Sequence, residues 1–98
     1  MPIKAIWNNI VLAQTDNFKI VEGRYYFPPE SIKKEYLSKS GNKYVCRWKG
    51  TADYYNITVE DKTNNDAAWA FHEPDKEIEG IRGFFSFWNG VDIVKDDE

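Results

Sequence analysis

Cysteine and histidine are nearly absent, with one residue of each in the chain, Cys46 and His72. A single cysteine excludes an intramolecular disulfide, and one cysteine with one histidine cannot complete a four-ligand zinc site. The sequence contains no apolar run of the roughly 18 residues that a membrane-spanning helix needs. Residues 1–5 also lack the apolar stretch of a signal peptide. We therefore expect a cytoplasmic protein with no metal, no other cofactor and no membrane partner.

The local motifs of the common nucleotide and hydrolase sites are also missing. There is no G-x-x-x-x-G-K-[ST] phosphate loop, no G-x-G-x-x-G dinucleotide motif and no G-x-S-x-G nucleophile elbow. A net charge of −3 argues against nucleic acid as a partner. One basic run stands out, and we interpret it as a solvated surface of mixed sign. Its members are Lys33, Lys34, Lys39, Lys43, Arg47 and Lys49.

The length of 98 residues predicts a single domain over residues 1–98. Aromatic residues are abundant and make up 16% of the chain. A chain of this size buries only about 60–65% of its unfolded surface. Each aromatic ring buries about 150–250 Å², so a few rings can fill much of a small core. Aromatic side chains also favour strands over helices.

Closely spaced turn signals predict eight or nine short antiparallel strands with one or two short helices. Asn8-Asn9 and Asn89-Gly90 are expected hairpin turns, because both pairs tolerate positive φ. The fold class is therefore mainly β, with two antiparallel sheets forming a β-sandwich or a small barrel. The segments are strands 3–8, 10–14, 18–22, 24–27, 44–48, 52–60, 67–71, 84–88 and 91–94, helical segments 30–37 and 74–80, a loop at 38–42 and a turn at 64–65.

The first candidate cluster contains Cys46, Trp48 and Lys49. Strand alternation places Cys46 and Trp48 on one face, with Lys49 at the strand end. A lysine partly desolvated by Trp48 can have a lowered pKa and act as a nucleophile or base. The structural alternative is that Cys46 and Trp48 belong to the core and Lys49 is a surface or ion-paired residue.

The second candidate is Glu22, which shares its strand parity with Phe18 and Ile20 and is therefore expected to point inward. A carboxylate on an apolar face needs a partner, and Lys49 or a tyrosine hydroxyl can supply one. One interpretation is a buried acid with a raised pKa. The other is a hydrogen-bonded brace that holds the turn at Gly23.

The third candidate cluster surrounds Trp69, which shares a face with Phe71. Small alanines beside Trp69 leave space for either another strand or a ligand. His72 lies next to Glu73 and can titrate near neutrality, which makes it a candidate acid or base. The alternative is a solvated histidine at a strand end.

Taken together, these segments resemble the family called domain of unknown function 427, in the family's order and over nearly the whole chain. The Phe-Pro-Pro and Cys-x-Trp-Lys-Gly elements are the most specific parts. The matching segments are Trp7, 11–13, 21–30, 46–55, 67–69 with Pro74, and 81–88.

The resemblance implies a small bacterial protein, mainly β, with a β-tent-like arrangement of two antiparallel sheets meeting at an angle. Related β-tent proteins bind small molecules in aromatic pockets. The family has also carried a nucleotidyltransferase label, but the chain lacks the Gly-Ser and paired carboxylates that such chemistry requires. Two positions depart from the family pattern: Arg47 stands where proline is usual, and Ala70-Phe71 stands near a usual Tyr-Tyr.

The leading hypothesis is a small-molecule-binding module, because the candidate segments combine apolar walls with a few polar groups. Lys49 and Glu22 would orient an anionic or amide-bearing ligand. The first alternative is an enzyme with Lys49 or Cys46 as nucleophile and Glu22 or His72 as acid or base. The second is an interaction domain that binds a partner protein or forms a homodimer. The predicted ligand-binding residues are Glu22, Tyr26, Cys46, Trp48, Lys49, Tyr54 and Trp69.

Overall fold

Nine strands and two short 3₁₀ turns lie wholly within the residues that the computed structural model describes, 2–47, 49–74 and 80–95. The count of strands agrees with the number that the turn spacing predicts. The strands are β1 (Ile3–Trp7), β2 (Ile10–Thr15), β3 (Lys19–Val21), β4 (Arg24–Tyr26), β5 (Leu37–Cys46), β6 (Gly50–Val59), β7 (Lys62–Ala70), β8 (Phe85–Phe87) and β9 (Asp92–Lys95), and the 3₁₀ turns are Pro29–Ser31 and Lys34–Tyr36.

The strands form three antiparallel sheets, in the orders β2-β1-β9, β3-β4 and β5-β6-β7-β8. Phe27, directly after β4, joins the hairpin β3–β4 to the four-stranded sheet. Its backbone exchanges two hydrogen bonds with Phe85 of β8, at 2.7 and 2.8 Å. The mainly β, antiparallel fold class is confirmed, and the small third sheet extends the edge of the largest one.

The Asn8-Asn9 hairpin forms as predicted between β1 and β2. Asn8 and Asn9 have φ of 53° and 64°, the positive values that a tight two-residue turn requires. The Asn89-Gly90 turn also forms, with φ of 55° and 94°, but its flanking strands lie in different sheets. Because β9 pairs with β1, this turn connects two sheets and the predicted hairpin there is wrong.

The predicted helix over residues 30–37 is wrong, and two 3₁₀ turns occupy the segment. Ile32 between them is extended and buried, and it bridges to Ala13 of β2. Lys33 N–H donates to the Leu12 carbonyl at 2.9 Å. An eight-residue helix is too short to be stable alone, so pairing with β2 and burial of Ile32 decide the backbone conformation.

The predicted loop at residues 38–42 and the predicted turn at 64–65 are also wrong. Residues 38–42 belong to β5, where an irregularity in the ladder to β6 accommodates Gly41 at φ 93°. The chain reverses at Glu60-Asp61 instead, so Asn64 and Asn65 lie within β7. The predicted helical turn at 74–80 falls mostly on residues 75–79, outside the described part of the chain.

Aliphatic and aromatic side chains together form two hydrophobic clusters. The larger lies between the sheets and includes Phe27, whose ring meets Phe87 edge to face at 5.5 Å. The smaller contains Tyr26 and Phe71, both fully buried, with Ala52 and Ile81. This second cluster lies on the face of β6 and β7 opposite the larger core, because side chains alternate along each strand, and it supports the site described next.

Candidate functional site

In the turn between β3 and β4, Glu22 has a left-handed backbone conformation, which glutamate rarely adopts. Glu22 and Gly23 both have positive φ, at 54° and 78°, as a type I′ turn requires. Asn, Asp or Gly normally occupy such positions, and positive φ costs other residues about 1–2 kcal/mol. The predicted inward strand face is wrong: Ile20 is 57% exposed, and Glu22 lies in the turn.

Glu22 reaches from this turn to Lys49, just before β6. Lys49 Nζ donates to Glu22 Oε1 at 2.6 Å. The cation is the buried member of the pair, since the side chain of Lys49 is 7% exposed and that of Glu22 is 47% exposed. Lys49 Nζ also lies 5.6 Å from the centroid of the Phe71 ring, within the range of a cation–π contact.

The pKa of Lys49 is raised above its usual value of 10.5. Burial by itself lowers this pKa, but the hydrogen bond to Glu22 outweighs it, with smaller electrostatic contributions from Tyr26, Glu22 and Cys46. The lowered pKa expected from desolvation beside Trp48 is therefore wrong. Lys49 remains an ammonium group at neutral pH, which suits electrostatic binding better than nucleophilic attack.

We expect the free energy of unfolding to fall as the pH rises above about 10, through Lys49 and two tyrosines. Burial raises the pKa of Tyr54 and Tyr55 above the usual 10.0, and nearby negative charge adds to the effect. For all three groups the folded state holds its proton more tightly, so the unfolded chain releases protons first and gains stability relative to the fold. Urea unfolding at about pH 9 and about pH 11 measures this loss, which should be smaller in Lys49→Met. A free energy of unfolding that is constant between these two pH values would contradict the prediction.

Lys49 and Glu22 lie at one side of a concavity of about 320 Å³ on the outer face of β6 and β7. The lining side chains come from the β3–β4 hairpin, from the four-stranded sheet and its β5–β6 turn, and from the segment after β8. Tyr54 and Trp69 are direct partners in the β6–β7 ladder, so both point to the same face. The lining residues are Glu22, Arg24, Tyr26, Tyr44, Lys49, Tyr54, Trp69 and Trp88.

Trp69 contacts three other side chains that line this concavity. It meets Tyr26 edge to face at 6.4 Å and Trp88 at 6.1 Å. The Arg24 guanidinium carbon lies 5.5 Å from the centroid of the Trp69 ring. Trp69 Nε1 donates to the Tyr26 hydroxyl at 3.3 Å, and Trp88 Nε1 donates to the Asp66 carbonyl at 2.7 Å. Both indole N–H groups are therefore satisfied within the protein.

Five of the seven predicted ligand-binding residues line this concavity: Glu22, Tyr26, Lys49, Tyr54 and Trp69. Cys46 does not line it; its half-buried side chain packs against the Tyr26–Phe71 cluster. Trp48 lies outside the described residues.

Sequence reasoning missed Arg24, Tyr44 and Trp88. Alternation could have found two of them, since Arg24 shares a side of β4 with Tyr26, and Tyr44 shares a side of β5 with Cys46. Trp88 gives no local signal, because its place depends on β8 pairing with β7.

His72 lies on the other face of the sheet. It hydrogen-bonds Tyr55, the neighbour of Tyr54, with 2.7 Å between the hydroxyl oxygen and Nε2. Adjacent residues of a strand point to opposite faces, so His72 is separated from Lys49 and Glu22 by the sheet. The predicted combination of Lys49 as nucleophile with His72 as acid or base is therefore wrong, because the two side chains lie on opposite faces of the sheet.

No set of three or more His, Cys, Asp or Glu side chains that could hold a metal ion occurs among residues 2–47, 49–74 and 80–95. Within the same ranges, no helix is long and apolar enough to cross a membrane.

The chain is thus mainly β and carries an aromatic-lined concavity beside a lysine–glutamate ion pair. The family model described as Domain of unknown function (DUF427) matches residues 1–97, and the chain belongs to this family. The resemblance inferred from the sequence is thus confirmed. A comparison with curated proteins finds no match to this chain.

Proposed function

We propose that this protein binds a small planar molecule that carries a negative charge, in the aromatic concavity. The observation that carries the proposal is the position of Lys49: a buried ammonium group, held in its charged form, among tyrosine and tryptophan rings. Apolar walls with a few fixed polar groups are typical of small-molecule sites.

The charges at the site favour an anion. Lys49 and Arg24 contribute two positive charges against the single negative charge of Glu22, in a chain whose net charge is −3. Glu22 is half exposed, so water can solvate it when a ligand carboxylate approaches Lys49. The pair is therefore suited to share its ammonium with a second anionic or amide oxygen.

The rings favour a planar body. The indole N–H groups of Trp69 and Trp88 already donate to protein acceptors, which leaves mainly apolar ring surface for a ligand. Stacked or edge-to-face contacts with a planar ligand add about 0.5–1.5 kcal/mol each beyond burial of area.

Lys49 is better suited to binding than to catalysis, because a lysine that attacks a substrate must lose its proton. An ion pair that raises the pKa of Lys49 works against that loss. The enzyme hypothesis is then confined to Cys46, which lies behind the lining residues.

Titration with three matched fragments tests the proposal: benzoate as an anion, benzamide as its neutral isostere and benzylammonium as a cation. We expect backbone amide NMR shifts at residues 22–26, 49, 54, 69 and 88, with affinity falling from benzoate to benzamide to benzylammonium. Lys49→Met should weaken benzoate about tenfold and benzamide much less, since a charge-assisted hydrogen bond contributes about 1.5–3 kcal/mol.

Lys62→Met provides the matched control, because Lys62 is an exposed lysine in β7 that does not line the concavity. It should leave benzoate affinity unchanged. Equal affinity for benzoate and benzylammonium, or no saturable shift at these residues with any fragment, would overturn the proposal.

A further inference from the structure

A second concavity, of about 380 Å³, lies on the opposite face of the four-stranded sheet. Its volume falls within the range of roughly 300–1,000 Å³ that is usual for small-molecule sites. Pro29, Leu37, Gly83 and Phe85 supply an apolar surface. Three polar side chains complete the lining: Lys34, Tyr55 and His72.

Tyr55 and His72 form a polar pair on this apolar surface. Their rings contact Phe85 edge to face, with centroid distances of 4.9 Å for Tyr55 and 6.2 Å for His72. Burial and the negative charge of Asp53 raise the pKa of Tyr55, so its hydroxyl stays protonated at neutral pH. In the tautomer where His72 Nε2–H donates to the Tyr55 oxygen, the tyrosine O–H is available to a ligand.

Lys34 lines this concavity, and Lys39 and Lys43 lie nearby in ion pairs with Asp53. Asp53 Oδ2 lies 3.9 Å from His72 Nε2 and 3.7 Å from Lys39 Nζ, and Asp53 Oδ1 accepts a hydrogen bond from Lys43. Asp53 thus pairs with two of these three lysines, and Lys34 is the lysine that lines the cavity. These lysines belong to the basic run between residues 33 and 49, so the sheet gathers part of that run beside an apolar cavity in an acidic protein.

We propose that this second concavity binds a small apolar monocarboxylate. The carboxylate accepts hydrogen bonds from the Lys34 ammonium and the Tyr55 hydroxyl, and the hydrocarbon body packs on Leu37 and Phe85. The inference does not depend on the proposed function of the first concavity, because Tyr54 and Tyr55 present separate surfaces on the two faces of β6.

Octanoate tests the inference, with 1-octanol as a neutral molecule of equal length and acetate as a carboxylate without a hydrocarbon body. We expect octanoate to shift the NMR signals of Lys34, Leu37, Tyr55, His72 and Phe85, and to leave Tyr44 and Trp69 unchanged. 1-Octanol should bind at least about fivefold more weakly, and acetate should give no saturable shift.

Two variants test the polar groups that the carboxylate is expected to contact. Lys34→Gln and Tyr55→Phe should each weaken octanoate about five- to tenfold. Lys33→Gln is the matched control for the first, since Lys33 is an equally exposed neighbour that does not line the cavity, and it should have no effect. Octanoate shifts confined to the first concavity, affinity equal to that of 1-octanol, or no saturable shift at the second concavity would each overturn the inference.

Discussion

Trp69→Ala should lower the free energy of unfolding by about 3 kcal/mol, near the lower limit for tryptophan-to-alanine changes because Trp69 is only partly buried. The change removes the ring that contacts Tyr26, Trp88 and the Arg24 guanidinium at once. For a domain of this size, the loss corresponds to a fall in Tm of roughly 12–24 °C. Thermal unfolding followed by circular dichroism measures it, and benzoate binding to the first concavity should disappear in the variant.

Trp69→Phe is the control for this prediction. It keeps an aromatic ring against Tyr26 and Trp88 and removes the hydrogen bond to the Tyr26 hydroxyl, a change expected to cost about 1 kcal/mol. If Trp69→Ala is as stable as Trp69→Phe, the ring does not support the site and the description of the concavity fails.

Glu22→Gln should destabilise the protein more than Lys49→Met, although the two residues form one ion pair. Glu22→Gln leaves a buried ammonium without its carboxylate, which costs about 1–3 kcal/mol, with the lower part of that range expected because water reaches half of Glu22. Lys49→Met replaces the buried cation by an apolar chain of similar length, and the remaining carboxylate is hydrated. We expect that change to stay within about 1 kcal/mol of the parent protein.

A double-mutant cycle measures the pair directly by urea unfolding at neutral pH. Because the charge on Lys49 is the source of the penalty, the double variant should be close in stability to Lys49→Met alone. The coupling free energy should be about 1–2 kcal/mol. A larger loss in Lys49→Met than in Glu22→Gln would mean that the glutamate is the desolvated member of the pair.

Local signals in the sequence predicted most of the strands and the first hairpin, because alternation and the Asn8-Asn9 pair act over a few residues. The segment around Ile32 could not be predicted in this way. Its apolar spacing fits a helix, and only the approach of Ala13 from β2 makes it extended. The Asn89-Gly90 turn illustrates the same limit, since the turn forms but β9 pairs with β1, far away in sequence.

The candidate site could likewise be predicted only in part from local signals. The sequence offered Lys49 or a tyrosine hydroxyl as the partner of Glu22, and the structure joins Glu22 to Lys49. The direction of the pKa shift of Lys49 was predicted incorrectly, because it depends on how closely the carboxylate approaches the ammonium. Trp88 could not be placed without knowing that β8 lies beside β7.

The left-handed backbone at Glu22 determines which substitutions at this position keep the protein folded. Glu22→Asn relieves the backbone strain of the turn, because asparagine tolerates positive φ. Lys49→Met removes the buried charge. The two changes together leave a hairpin of similar or greater stability. A lineage selected only to stay folded therefore has an accessible two-step route that deletes both charged groups. Retention of the glutamate and the lysine across natural variants would be a signature of selection on binding.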